Sequence, residues 1–242
     1  MGDTMLESGA NRRRNRRLLP AHSALCVLAL LAPPGASADP GSVVSTLHNL
    51  SASGPGAIRS MSETEVCKFC HIPHNAVVAA PLWGHALSKA QYATPRLRRG
   101  RPGESPVPQP DGSSRLCLSC HDGTVALGDV SGEPRPIPMS GRERLGPGDR
   151  GFLGTDLSGS HPVSFVVAEG YLTGEEGDGD IGLRSLANLR TDPDVKLDGE
   201  GKMQCTSCHD PHSDRYYVPG KVPHFWVKPT VDEVCTTCHI VR

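Results

Sequence analysis

Apolar positions in this chain are scattered, and only two stretches carry a clear pattern. The first is the run ALCVLALLA at 24–32, preceded by Arg12, Arg13, Arg14, Arg16 and Arg17 and closed by Pro33-Pro34. The second is DLSGSHPVSFVV at 156–167, where Val163, Phe165 and Val167 alternate as a half-buried strand would. Between them lie segments built to break regular structure: RRGRPGESPVPQPDG at 98–112, a Pro/Gly stretch at 131–151 and an acidic Gly-rich loop at 174–182. The pattern predicts a mostly irregular, coil-rich fold with short α-helices and few short strands, organised as a single domain.

The first run has the order of a secretory leader. A basic n-region and an apolar h-region precede the small-residue site Ala36-Ser37-Ala38, which predicts removal of 1–38 and a mature domain over 39–242. Cys26 sits inside the h-region behind bulky Leu25 and reads as a hydrophobic leader residue. The run is far shorter than the roughly 20 residues that cross a bilayer, and no later segment is apolar enough to do so. The expected location is therefore exported, in the periplasm or at the extracellular surface.

Composition then poses a problem for the remaining 204 residues (242 less 38). Aromatic residues make up only 4% of the chain, against 27 Gly and 22 Pro, too few large apolar groups to offset the entropy of ordering it. Removing five Arg, one Asp and one Glu with the leader leaves 20 basic and 24 acidic residues, a net charge of −4 that gives nucleic-acid binding no support. Something other than side chains has to supply apolar surface.

The cysteines say what. Eight of the nine fall in CKFCH at 67–71, CLSCH at 117–121, CTSCH at 205–209 and CTTCH at 235–239. Cys-x-x-Cys-His is the attachment pattern of c-type haem: two sulfurs bond one porphyrin and the adjacent His binds its iron. Cys-x-x-Cys pairs also close zinc sites, but zinc does not require a His after the second Cys, and here His follows all four times. The expectation is four covalently attached haems, bound through Cys67, Cys70 and His71; Cys117, Cys120 and His121; Cys205, Cys208 and His209; and Cys235, Cys238 and His239. Such porphyrins fill and cross-link a small domain much as disulfides do, so the apoprotein should be largely unfolded.

The second axial ligand decides between electron transfer and open-iron chemistry. Ten His remain after the leader, four of them in motifs; His48, His74, His85, His161, His212 and His224 are left for four distal positions. His74 and His212 each lie three residues after a motif His and cannot wrap round to the far face of their own haem. If they are ligands, they serve a neighbouring one. His48, His85 and His161 lie far enough from any motif to cover a haem face. His224, between Pro223 and Phe225-Trp226, ranks last, since packing or exposure explains it equally well. The candidate iron ligands are thus His71, His121, His209, His239, His48, His85, His161, His74 and His212.

Several segments together, HNLSASGPG at 48–56, SETEVCKFCHIPHNA at 62–76, PLWGH at 81–85, LCLSCHDGTVA at 116–126, DLSGSHPVSF at 156–165 and CTSCHDPH at 205–212, resemble the multihaem c-type cytochromes with paired CxxCH motifs. Their order and the motif count are most similar to extracellular tetrahaem filament cytochromes of the OmcE type. The resemblance covers about 41 to 240; Ile72 and Gly84 depart from its usual Thr and Asn, and the linkers at 98–112 and 131–151 are particular to this chain. It implies a stacked chain of bis-His haems, with protomers joined through an axial His donated by one to the next, from His48 or His74, for instance.

Three functions fit these observations. The first is an exported electron-transfer cytochrome that works with redox partner proteins or an extracellular electron acceptor and polymerises into a filament. The second is a monomeric periplasmic shuttle. The third is a multihaem oxyanion reductase, an enzyme that would need one open iron, which six spare His do not favour.

Overall fold

A computed structural model describes residues 41–72, 82–95, 107–167 and 182–240. They belong to one compact unit, Ala38–Arg242. The expected leader and His74 lie outside the described residues.

Regular structure is short throughout. Among the described residues three α-helices, α1 (Gly112–His121), α2 (Leu186–Thr191) and α3 (Val231–Cys238), accompany six two-residue strands. The strands are β1 (Arg59–Ser60), β2 (Met139–Ser140), β3 (Phe165–Val166), β4 (Gly182–Leu183), β5 (Lys202–Met203) and β6 (His239–Ile240). They form three separate antiparallel ladders, β1 with β2, β3 with β5 and β4 with β6. The strand expected from the alternation at 163–167 is β3, cut to two residues because Ser164 takes φ 63° and turns the chain just before it.

Buried apolar side chains fall into four small clusters. Phe69, Ile72, Val130 and Ile137 form one; Val167, Leu186, Leu189 and Met203 a second; Tyr92, Leu118 and Leu157 a third; Val195, Val227 and Val234 a fourth. A conventional domain of this length concentrates such residues in one contiguous core. Here each cluster lies beside at least one Cys-x-x-Cys-His segment, so the apolar packing is distributed along the motifs.

Polar joints connect the clusters. Gln204, 1% exposed, accepts at Oε1 from Ser114 Oγ (2.6 Å) and Ser164 Oγ (3.2 Å). Its Nε2 donates to Asp111 Oδ1 (3.1 Å) and Asp198 Oδ2 (2.9 Å). One side chain thus ties the start of α1 to the β3–β5 ladder and to the segment entering the third motif. α3 starts on a Thr230 cap, whose Oγ1 accepts from Glu233 N (3.2 Å), with Asp232 and Glu233 in the first turn where the helix dipole favours acids.

Candidate haem-binding centre

Two kinds of local structure carry the four motifs. The second and fourth sit on α-helices, the second wholly on α1 and the fourth on α3, with His239 just past its end. The first and third sit on single 3-10 turns, Val66–Phe69 and Cys205–Ser207. β5 ends two residues before Cys205, and after each of these motifs the chain doubles back, leaving room for one turn only.

The doubling-back occurs the same way twice. Ile72 N donates to the Leu82 carbonyl (3.0 Å) and Gly84 N to the Cys70 carbonyl (2.8 Å); Asp210 N donates to Phe225 (2.8 Å) and Val227 N to Cys208 (3.1 Å). Leu82 and Phe225 occupy the left-handed region at φ 60° and 61°. Trp83 then bridges His71, and Trp226 bridges His209. The chain therefore contains two related halves, each with a turn motif, a left-handed residue, a tryptophan and a helical motif. Sequence reasoning missed this repeat and both tryptophans, because the motif His and its Trp are 12 residues apart in one half and 17 in the other.

None of the eight motif cysteines is in a disulfide. Burial pushes Cys70 up to about 11 and Cys120 and Cys208 up to about 12, so these sulfurs stay protonated near neutrality. Cys117 and Cys205 share a hydrogen bond that raises the Cys117 thiol and lowers Cys205. Electrostatic coupling runs from Cys70 to Cys117 and Cys120, and from Cys208 to Cys235 and Cys238. The sulfurs of successive motifs are thus neighbours in the order first, second, third, fourth.

Three histidine pairs stand out. The ring centroids of His48 and His121 are 5.9 Å apart, those of His71 and His212 5.9 Å, and those of His161 and His239 6.3 Å. With Fe–N near 2 Å and about 1.1 Å from nitrogen to ring centre, imidazoles on opposite sides of one iron have centroids about 6.2 Å apart. Each pair joins one motif His to one His outside the motifs, and His212 faces the first motif rather than the third, which it follows directly.

Backbone carbonyls orient these rings, as outer-shell partners orient metal ligands. His121 Nδ1 lies 2.7 Å from Gly151 O, His161 Nδ1 2.9 Å from Pro162 O and His209 Nδ1 3.1 Å from His224 O, leaving Nε2 available to a metal. Burial, then the nearby His121, lowers His48 to about 4, which keeps it in the neutral, ligating form. Burial lowers His209 and His239 as well.

The other candidates are placed differently. His85 is fully buried, with Nδ1 2.9 Å from Ala86 O and Nε2 3.0 Å from Ala126 O, and it is not brought opposite a motif His. His224 has Nδ1 2.7 Å from Asp214 Oδ2 and stacks on Tyr217 at 3.5 Å. His209 packs against Trp226, and among the described residues no second His ring faces it. Among the described residues, three buried polar atoms, Trp83 Nε1, His224 Nε2 and His239 Nδ1, have no hydrogen-bond partner. Paired imidazoles at iron-spanning distance, adjacent thiols and unpartnered buried polar atoms together fit the haem group that the motifs imply.

Residues 199–241, which contain the third and fourth motifs, match the family model described as the doubled CXXCH motif. That match supports a multihaem c-type cytochrome family, whose members are in general electron-transfer proteins. No curated protein matches the chain.

Proposed function

We propose that this protein is an exported tetrahaem c-type cytochrome that passes electrons along a chain of bis-His haems. The observation that carries this reading is the three His–His pairs at 5.9 to 6.3 Å, each joining a motif to a histidine distant in sequence. When bound, each haem supplies a one-electron couple and an extended porphyrin over which the electron is delocalised. The chain's own part is to hold the groups and close the irons. The cysteine pairs of the motifs fix each porphyrin. His71, His121, His209 and His239 would each bind one iron, and His48, His161 and His212 would supply the second ligand to three of them. His74 and His85 complete the sequence's set of distal candidates.

The neighbouring sulfurs, Cys70 by Cys120, Cys117 by Cys205 and Cys208 by Cys238, support a continuous series of haem edges. Irons closed on both faces would have no position for substrate, so the oxyanion reductase would need the iron bound by His209, which no described His ring faces, to stay open. The resemblance to OmcE-type cytochromes supports assembly into an extracellular filament. Within one chain His48 already faces His121, so a ligand shared between protomers would come from another residue, with His74 the sequence's candidate. The alternative is a monomeric periplasmic shuttle with the same haem chain.

Intact mass of the secreted protein under denaturing conditions, with the haem absorbance per polypeptide, tests the central assignment. Four covalent haems on a chain beginning at Asp39 are expected, and fewer haems or a retained leader would refute it. Negative-stain microscopy of the same sample separates filament from shuttle.

A further inference from the structure

The two related halves differ at one atom that the haem chain has not used. In the second half Trp226 packs across His209, centroids 5.0 Å apart at 72°, and its Nε1 donates to Thr230 O (3.0 Å). In the first half Trp83 packs across His71 in the same edge-on manner, at 6.0 Å and 86°. Its Nε1 is buried and has no hydrogen-bond partner among the described residues. A buried indole N–H without an acceptor is destabilising, and native proteins rarely leave one so.

The backbone goes to some expense to put it there. Leu82 precedes Trp83 at φ 60°, a strained conformation that L-residues other than Asn and Asp seldom adopt. Gly84 follows it, packed so tightly that an added Cβ would come within 2.7 Å of the Ile72 side chain. Together these fix the indole against the first motif rather than toward solvent. Strained backbone concentrates where a side chain has a function.

Building on the haem reading above, we propose that Trp83 contacts the porphyrin attached at Cys67 and Cys70. Its ring edge sets the rotation of His71, and Nε1–H donates to a carboxylate of that porphyrin. The carboxylates are the strongest acceptors the group carries, and hydrogen bonds to a charged oxygen are the stronger kind. Trp226 braces His209 in the same way, but its N–H is already bonded to Thr230. Trp83 is therefore a positioning residue for His71 and, through its N–H, a direct haem contact.

The chain has two tryptophans, so ultraviolet resonance Raman of the native secreted holoprotein reads both indoles without any substitution. Both N–H groups should show the hydrogen-bonded signature, and in Trp226→Phe the remaining indole should keep it. In Trp83→Phe the haem-carboxylate bending band should lose one component, with every iron still six-coordinate and low-spin; in Trp226→Phe that band should not change. A free indole N–H in the native haem-loaded protein would overturn the proposal, as would an unchanged carboxylate band in Trp83→Phe. A chain whose mass shows no covalent haem overturns the haem reading itself, so the two failures are told apart by mass.

Discussion

Replacing Gln204 with Leu removes the joint between the second and third motifs while nearly preserving its volume. Ser114, fully buried at the start of α1, would lose the acceptor of its 2.6 Å hydroxyl hydrogen bond, and Ser114 N a weaker contact at 3.3 Å. Ser164 would still accept from Asp111 N at 2.9 Å, and its hydroxyl would keep only the long contact to Asp111 O at 3.4 Å. Asp111 retains Lys202, and Asp198 retains the amides of Glu200 and Lys202, so their loss is small. Stranding one buried hydroxyl costs about 1–3 kcal/mol and losing the remaining neutral bonds about 0.5–1.5 kcal/mol each, so about 3 kcal/mol in total is expected. With a urea m-value of about 2 kcal/mol/M, the unfolding midpoint of the holoprotein should fall by about 1.5 M. Gln204→Glu should behave differently: it keeps an acceptor for Ser114 but puts a third carboxylate between Asp111 and Asp198. Its destabilisation should be larger at neutral pH and diminish in acid. If Gln204→Leu unfolds within about 0.3 M of the parent, the joint does not contribute as described.

Distal ligation and buried polarity give further expectations. His48→Ala, His161→Ala and His212→Ala should each turn one iron high-spin and open it to carbon monoxide when reduced, and difference spectra would show it. His85→Ala should leave every iron low-spin and lower stability by about 2 kcal/mol in urea unfolding, since the buried carbonyl that accepts from its single N–H loses that donor. Burial pushes the Asp111 carboxyl up, but hydrogen bonds from Lys202, Gln204 and Ser164 together outweigh it and hold it below the usual range; for Asp198, amide and Gln204 hydrogen bonds likewise outweigh burial. Carboxyls lowered by folding contribute stability above their unfolded value near 3.9, and that contribution is lost as pH falls through the folded value. Urea midpoints should therefore drop between about pH 4.5 and pH 3, and a midpoint constant over that window would contradict the assignment.

Attachment chemistry is local, which is why it was legible in the sequence. Cys-x-x-Cys-His fixes its own spacing, and Gly- and Pro-rich connections foretell coil, so the motifs and the coil-rich fold with α1, α3 and β3 could be read directly. The pairing of His48 with His121, His71 with His212 and His161 with His239 could not. These partners lie 73, 141 and 78 residues apart with no periodicity between them, and tertiary packing alone sets which ring faces which. His85 looked equivalent to His48 from its distance to a motif, yet the structure buries it between two carbonyls. The related halves were hidden by unequal loops, since the left-handed turns at Leu82 and Phe225 use two residues with no intrinsic preference for that conformation.

The central claim is that the chain holds four haems, each closed by two histidines. Near-infrared magnetic circular dichroism of the native ferric protein, scaled to haem content from intact mass, tests it most directly. The account predicts four covalent haems and a charge-transfer intensity accounted for wholly by bis-His low-spin iron. A high-spin fraction of a quarter or more of the total iron, or fewer than four haems on the chain, would contradict it.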